Sequence, residues 1–532
     1  MKLSHLSVSL LCFAVATLPQ IRPVSSAKIL AVYAFPGKSH YMMHTALIRE
    51  LIENGHQVTM IAAFSLESQK LGSNYTELLI EPVYDFWHDV KLAFGVQHLF
   101  DLTRMKNHDF LKMLEIIGLK TTEHALRQPK VQSLIHANQT EGVFDLLLAE
   151  QFYQEAFLAL AYKYNIPIVS TSTLGYENHM SQMMGLITPW SFVPHGFMPF
   201  TDRMSFWERL SNSYESLYED MDRLWNYFPK MDAITEQYFG NVLAEVPKVK
   251  FMETQISVML LNSHAPLTTS RPTVDSMVPV GGMHIYPPKQ LPHDMQSFLD
   301  GATDGAIFFS LGSNVQSKEM PQEMLRLFLK VFGSLKQRVL WKFEDESIGK
   351  LPENIMIRKW LPQADILAHP NVKVFITHGG LFGTQEGVHY AVPMLGIPFY
   401  CDQHLNMNKA VLGGYAISLH FQSITEELLT HSLLQLIHNV SYKDNITRVS
   451  RIFRDRPLEP RKNALYWIEY VIRHKGAPHM KSAGLELTWY QFYLLDVIAF
   501  VIVIALGGFL LLMLAIRLLR GSGKKQRKAK SN

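Results

Sequence analysis

Cysteine is scarce: the 532 residues hold only two, Cys12 and Cys401. Two thiols make one bridge at most, which excludes a disulfide-stapled secreted scaffold. An excess of charge is lacking too. The chain carries 50 basic and 47 acidic side chains, a net +3, while 48% of it is hydrophobic. A chain this apolar and this close to neutral is not intrinsically disordered. Its length allows two full domains, each with its own core. Two common nucleotide fingerprints are also missing. Gly37-Lys38-Ser39 looks like the end of a phosphate-binding P-loop, but the motif needs glycine where the chain has Val32. No Gly-x-Gly-x-x-Gly follows the first apolar run, so the dinucleotide fingerprint is absent.

The ends of the chain are informative. Residues 1–27 combine Lys2, an apolar stretch from Val8 to Leu18 and small residues at Ser25 and Ala27. That order reads as a cleaved secretory signal, and Cys12 leaves with it. Near the other end, 497–516 has no charge, enough to cross a bilayer. Tyr490, Phe492 and Tyr493 sit where an interfacial aromatic belt belongs, and the tail 517–532 carries seven Lys or Arg and no acid. The positive-inside rule puts that tail in the cytoplasm and the body on the far side of a single-pass, type I membrane protein. Four N-glycosylation sequons, at Asn74, Asn138, Asn439 and Asn445, lie between signal and span. Lys528 and Lys530, fifth and third from the end, resemble a dilysine retrieval signal of the endoplasmic reticulum membrane. Without the tail, Lys2 and Arg22, the net charge becomes about −6. The body therefore offers no case for nucleic-acid binding.

The body alternates short apolar runs with helical patterns. Lys28–Phe35 and His56–Ala63 read as strands around a helix that stops at Asn54-Gly55, and Phe144–Ala149 and Ile166–Thr171 continue the series. Runs at Ala306–Ser310, Val339–Phe343, Ile355–Ile357, Val374–Thr377 and Met394–Ile397 repeat it in the second half. The prediction is two Rossmann-like α/β domains facing a cleft, 28–264 and 294–450, joined by a Pro-, Thr- and Gly-rich linker, 265–293. Helices over 451–489 follow, packing back towards the first domain.

The chemistry concentrates between Trp360 and Asn406, which reads WLPQ, VFITHGGLFGTQEG and PMLGIPFYCDQHLN. A strand runs into His378-Gly379-Gly380 and a helix starts close behind. Backbone N–H groups and a helix N-terminus at such a turn suit a diphosphate. Glu386 can accept from ribose hydroxyls, Asp402-Gln403 can grip a sugar, and Trp360 offers a face for a base with Gln363 beside it. Singly, Trp360 reads as core packing, Gly379-Gly380 as a tight turn and Asp402 as a helix cap.

Their order and spacing together resemble the signature of the UDP-glycosyltransferases, inverting nucleotide-sugar enzymes of the GT-B fold, and in particular the membrane-bound animal branch. FFSLGSNV, VLWKF, VGGMH, DRPLEP and WIEYVIRHKGAPH also look like segments of that family, so the resemblance spans nearly the whole chain. It implies that Trp360 stacks on uracil and Gln363 contacts base or ribose. It gives Ser313, Thr377, His378, Gly379 and Gly380 the diphosphate, Glu386 the ribose, and Asp402 and Gln403 the transferred sugar. Phe382 and Gly383 stand where the family often has Asn or Ser, which removes a side-chain phosphate contact.

The same resemblance makes His40 the general base and Glu150, where many relatives have aspartate, its acidic partner. An imidazole titrates near neutrality, which suits the role. His44 lies one turn along without the Cys or carboxylate spacing of a metal site, so no metal is expected, and the UDP-sugar is a co-substrate rather than a cofactor. The implied reaction is hexose transfer to a small lipophilic alcohol, phenol or acid, as in detoxification or in hormone or pigment conjugation. GGMHI and Glu150 look more like invertebrate members, many of which use UDP-glucose. Arg271-Pro272 keeps UDP-glucuronic acid as the alternative donor. A non-catalytic lumenal nucleotide-sugar binder is the rival class, and homo- or hetero-oligomers stay open. Aromatic and Met-rich stretches 84–87, 180–190 and 192–200 are the candidate acceptor pocket.

Overall fold

The computed structural model describes residues 26–529, so the expected signal sequence lies almost wholly outside the described residues. Two parallel sheets dominate it. The first has seven strands in the order β3-β2-β1-β4-β5-β6-β7, and the second has six in the order β10-β9-β8-β11-β12-β13. In both, the strand order reverses between the first and fourth strands, β1 and β4 in one and β8 and β11 in the other. Such reversals open a crevice at the carboxyl ends of the strands.

The apolar runs form the central strands because both of their faces are covered. In the first sheet β1 is Lys28–Tyr33, β2 Gln57–Ala62, β4 Leu146–Glu150 and β5 Ile168–Ser172. Every residue of β4 and β5 is buried. The central strands of the second sheet are β8, Ala306–Ser310, and β11, Val372–Thr377. The flanking strands are β3, Tyr75–Leu79, β6, Ile256–Leu261, β9, Arg338–Lys342, β10, Ile355–Arg358, β12, Met394–Gly396, and β13, Ala416–Ser418.

The stretch 265–293, which composition marks as a linker, carries structure of its own. Met277–Pro279 forms β7 and pairs in parallel with β6, extending the first sheet by a strand. Three residues flanked by proline-rich sequence leave no periodic signal, which is why composition alone does not reveal it.

Six helices position the site or tie the chain together: α1, Lys38–Glu53; α2, Phe206–Asp222; α3, Leu381–His389; α4, Gln403–Leu412; α5, Pro460–Arg473; and α6, Leu495–Ala529. Helix α5 crosses back to the first sheet. Its Ala464, Leu465, Ile468 and Val471 share an apolar cluster with Ile29, Ala31 and Leu47, and Lys462 Nζ meets Glu50 Oε1 at 2.6 Å. The segment Leu495–Leu519 of α6 is long and apolar enough to cross a membrane and is not buried against the rest of the protein.

Candidate active site

His40 and Glu150 flank the reversal point of the first sheet. His40 lies in the first turn of α1, directly after β1, and Glu150 is the last residue of β4. Parallel pairing of β1 with β4 brings the two strand ends side by side. His40 Nδ1 sits 2.5 Å from Glu150 Oε1 although the residues are 110 positions apart. Gly37 opens α1 because Phe35 and His40 crowd it, and a Cβ there would lie 2.6 Å from the Phe35 ring.

A third group has no signal in the sequence. Thr173, just past β5, donates from Oγ1 to Glu150 Oε1 at 2.9 Å and lies 3.0 Å from His40 Nδ1. Burial alone would raise the Glu150 carboxyl, but His40 and His44 beside it and the bond from Thr173 hold it below its usual range. Phe35 and Phe152 pack around the His40 ring, each with centroids 4.8 Å away. His44 is a different kind of residue. It is wholly buried, stacks on Tyr33 at 3.5 Å, and burial pushes its pKa down to about 4. It stays neutral and packs.

The second half of the site flanks the reversal point of the other sheet. Ser313 lies half-buried in the turn after β8, and His378-Gly379-Gly380 joins β11 to α3. The glycines are sterically required. Gly379 has φ +81°, and a Cβ on it would lie 2.5 Å from Met407, while one on Gly380 would lie 2.4 Å from the His378 ring. Thr377 turns inward instead of towards the cleft: it is fully buried, and its Oγ1 accepts from Gly379 N at 3.2 Å, so it braces the loop. The buried Nδ1 of His378 has no protein partner, and burial followed by the Lys342 charge lowers the ring's pKa to about 4.

Glu386, on α3, accepts from Gln363 Nε2 at 2.5 Å and lies 3.7 Å from His284 Nε2. Burial raises its carboxyl to about 7. Trp360 is 67% exposed, with one face open and Lys342 Nζ 5.9 Å from its ring centre. Asp402 precedes α4, and burial lifts its carboxyl to about 6 against the opposing bond from Asn406. Asn406 Nδ2 reaches both Asp402 Oδ2, at 2.7 Å, and Gly379 O, at 3.0 Å, tying the glycine turn to the acid. Gln403 Oε1 is already engaged by Phe399 N at 2.8 Å, and its side chain also bonds the Tyr400 hydroxyl.

The two halves are bolted together. Gln385 accepts from Gly282 N at 2.9 Å and donates to Asn262 O at 3.2 Å. Phe382 is buried against His284, 4.9 Å between ring centroids, within the apolar cluster that also holds Val280 and Met283. Its side chain therefore faces the first unit rather than a phosphate. Among the described residues, Glu177, His179 and Glu219 bring metal-capable atoms within 4.8 Å of one another. Two of them are already engaged with protein partners, since Glu219 accepts from His179 at 3.2 Å and from His195 at 2.8 Å, and Glu177 Oε2 lies 3.6 Å from His179 Nδ1.

A family model described as UDP-glucoronosyl and UDP-glucosyl transferase matches residues 27–525. UDP-glycosyltransferase UGT5 of Dactylopius coccus is 34% identical over 93% of this chain and 92% of its own length. UDP-glucuronosyltransferase 2B7 of Homo sapiens is 31% identical over 87% of this chain and 88% of its own. Among solved structures, the calicheamicin glycosyltransferase CalG4 covers 86% of this chain and all of its own, with TM-score 0.57 and 16% identity. The glycosyltransferase VinC in complex with DTDP gives TM-score 0.57 at 14% identity over 84% of this chain and all of its own. These are GT-B glycosyltransferases, and the two facing Rossmann-like sheets are that fold.

Proposed function

The chain belongs to the UDP-glucoronosyl and UDP-glucosyl transferase family, enzymes that transfer sugar from a UDP-sugar, and from that premise we propose inverting hexose transfer to a small lipophilic acceptor. UDP-glucose is the favoured donor. His40 is the base: with Nδ1 held by Glu150 and Thr173, Nε2 takes the proton from the acceptor hydroxyl. The acceptor oxygen then bonds to the anomeric carbon as the bond to the diphosphate breaks. UDP leaves with the electron pair, and the configuration inverts. Glu150 orients the imidazole and stabilises its protonated form. An acceptor carboxylate is a nucleophile already and needs only positioning.

Trp360 and Gln363 take the uracil and the edge of the nucleoside. Glu386 takes the ribose hydroxyls. The His378-Gly380 turn, with Ser313 opposite, cradles the diphosphate through the backbone N–H groups where α3 starts, and Asp402 with Gln403 holds the sugar. The turn and the helix N-terminus supply the charge compensation, so no metal is assigned. Phe35 and Phe152 give the acceptor site an apolar wall. Helix α6 anchors the enzyme, with the catalytic body in the lumen of the endoplasmic reticulum and the basic tail outside. Detoxification or conjugation of small lipophiles is the matching role.

The observation that carries this reading is the His40–Glu150 contact of 2.5 Å in a buried site within electrostatic range of Asp402. A nucleotide-sugar binder has no use for that pair. Radiolabelled transfer from UDP-glucose to naphthol is the test: transfer that persists in His40→Ala sinks the base assignment, and no transfer by the native protein favours the binder.

A second donor has one specific observation in its favour. Arg271 and Lys409 line a cavity of about 40 Å³ beside Asp402 and Asn406. The buried Nε and Nη1 of Arg271 have no hydrogen-bond partner, and burial lowers the Lys409 ammonium to about 7. A carboxylate in that cavity, such as that of glucuronic acid, would satisfy both. Transfer from UDP-glucuronic acid that is lost in Arg271→Gln while transfer from UDP-glucose survives supports this donor. Equal effects on both donors count against it.

A further inference from the structure

Helix α2 is amphipathic in the wrong sense for a soluble protein. Its buried residues, Asn212, Ser216 and Glu219, are all polar. Its exposed face carries Phe206, Trp207, Leu210, Tyr214 and Leu217, all apolar or aromatic. The polar side is fully engaged. Asn212 donates to Trp190 O and Val193 O and accepts from His195 N, while Ser216 accepts from Asn178. The charged side chains at the flanks are engaged too: Glu208 closes the capping box with Ser205, and Glu215 meets His108 at 3.2 Å. The apolar stripe runs on through a π-helical turn, Arg223–Tyr227, where Trp225 is 72% exposed. A helix of 17 residues presents about 25 Å of length. An apolar face of that extent marks an interaction surface.

Three features choose the occupant. First, the C-terminal end of α2 lies near the entry to the membrane helix: Asp220 accepts from Gln182 at 2.7 Å, and Gly185, three residues past Gln182, packs against Ser482 and Leu485 of the segment that leads into α6. Second, the segment leading into α6 docks on the same side of the first unit, with Ser482 donating to Gly185 O at 3.2 Å. That segment exposes Trp489, Tyr490 and Leu494. Third, tryptophans mark both ends of the stripe, and indole rings favour the headgroup level. We propose that α2 lies in the membrane surface, its apolar face dipped into the leaflet that α6 enters. It would sit about 5–10 Å into the headgroup and acyl boundary. The proposal rests on α6 being the membrane anchor.

The full-length chain reconstituted in phosphatidylcholine vesicles with acyl-chain bromines near the headgroup tests this through tryptophan quenching. Trp207 and Trp225 are quenched, so Trp207→Phe with Trp225→Phe loses much of the quenchable fluorescence. Bromines at the acyl chain ends quench these two less. Phenylalanine keeps the apolar face, and circular dichroism verifies that the variant is folded. Trp489→Phe reports the anchor independently. If the double variant keeps the native quenching while Trp489→Phe lowers it, α2 stands off the bilayer and the proposal fails with anchoring intact. If no tryptophan is quenched, both fail. Unquenched Trp207 and Trp225 in a chain that cross-links to a second copy through α2 overturn it in favour of a dimer.

Discussion

Glu150 Oε1 lies 2.5 Å from His40 Nδ1, with the carboxylate side chain wholly inaccessible to solvent. One ring nitrogen is thereby committed, and in the proposed reaction the other takes the acceptor's proton. Glu150→Ala removes both the orienting bond and the compensating charge. We expect kcat to fall by about a hundredfold with little change in KM for the UDP-sugar. Thr173→Val keeps shape but removes one donor to a buried carboxylate, and an about tenfold loss of kcat is expected. Steady-state kinetics with saturating donor check both. A Thr173→Val enzyme as fast as the native one would make that hydroxyl incidental.

Glycosylation should discriminate among the sequons. Asn138 is exposed in the loop after the helix Pro129–Ile135. Asn445 lies within the helix Val440–Arg454, and its amide donates to Gly414 O at 3.1 Å. Gly414 approaches so closely that a Cβ there would lie 2.7 Å from that amide nitrogen. A glycan on that nitrogen would have to fit against the closely packed Gly414 backbone. Expressed through a secretory pathway, Asn138→Gln should remove one glycan-sized mass step. Asn445→Gln should remove none while costing about 1 kcal/mol of stability. Mass spectrometry and thermal melts check the pair.

Much of the fold is legible in the sequence; β6, a fully buried apolar run, is not among the strands read there, and other unread parts carry a weak pattern. The central strands announce themselves because two-sided burial demands unbroken apolar runs, as in β1 and β11. Strand β3 has no such run, since its residues are half-buried or exposed and include Glu77. Strands β7 and β13 are three residues each and their apolar stretches are broken by Pro279 and Ser418, whereas the equally short β12 falls in the run Met394–Ile397. In the site, His40 and the Trp360–Gln403 stretch stand out because a motif packs them into a local segment. Thr173, His284 and Gln385 do not, because their roles exist only through tertiary contact; that of Asn406 does so only in part, through its bond to Gly379 O. Thr173 meets His40 across 133 positions and Gln385 meets Gly282 across 103. The motif gives Thr377 to the diphosphate by its place, yet its hydroxyl points to the loop's own backbone.

Phe382 separates a missing phosphate contact from a structural substitution. Its ring is buried between α3 and the His284 segment. Phe382→Asn would therefore place an amide in an apolar contact rather than in the donor site. The expected result is no gain in affinity for the UDP-sugar and a fall in stability of about 3 kcal/mol or more, from the lost packing and the buried polar group. Isothermal titration with UDP and a denaturant titration decide it. Tighter UDP binding by the variant would mean that position 382 does face the diphosphate.

Glu386 sets a pH dependence whose sign follows from its burial. Its carboxyl is raised to about 7 because burial outweighs the opposing bond from Gln363, and Asp365 adds to the rise. Below that pH the group is protonated and accepts ribose hydroxyls poorly, and above it the carboxylate accepts them well. KM for the UDP-sugar should therefore fall as pH rises from 6 to 8, and Glu386→Gln should remove that slope. Stability runs the other way. Between the unfolded value of 4.5 and about 7 the folded chain holds a proton that the unfolded chain has released, so this group's contribution declines as pH rises through that window. Its size is roughly 3 kcal/mol, at about 1.4 kcal/mol per pH unit. In the proposed site, bound UDP-sugar donates hydroxyls to the carboxylate and so offsets the loss. The gain in melting temperature on adding UDP-glucose should thus be larger at pH 8 than at pH 6 in the native enzyme and equal at both in Glu386→Gln. A ligand-induced shift that is independent of pH in the native enzyme would remove Glu386 from the ribose site.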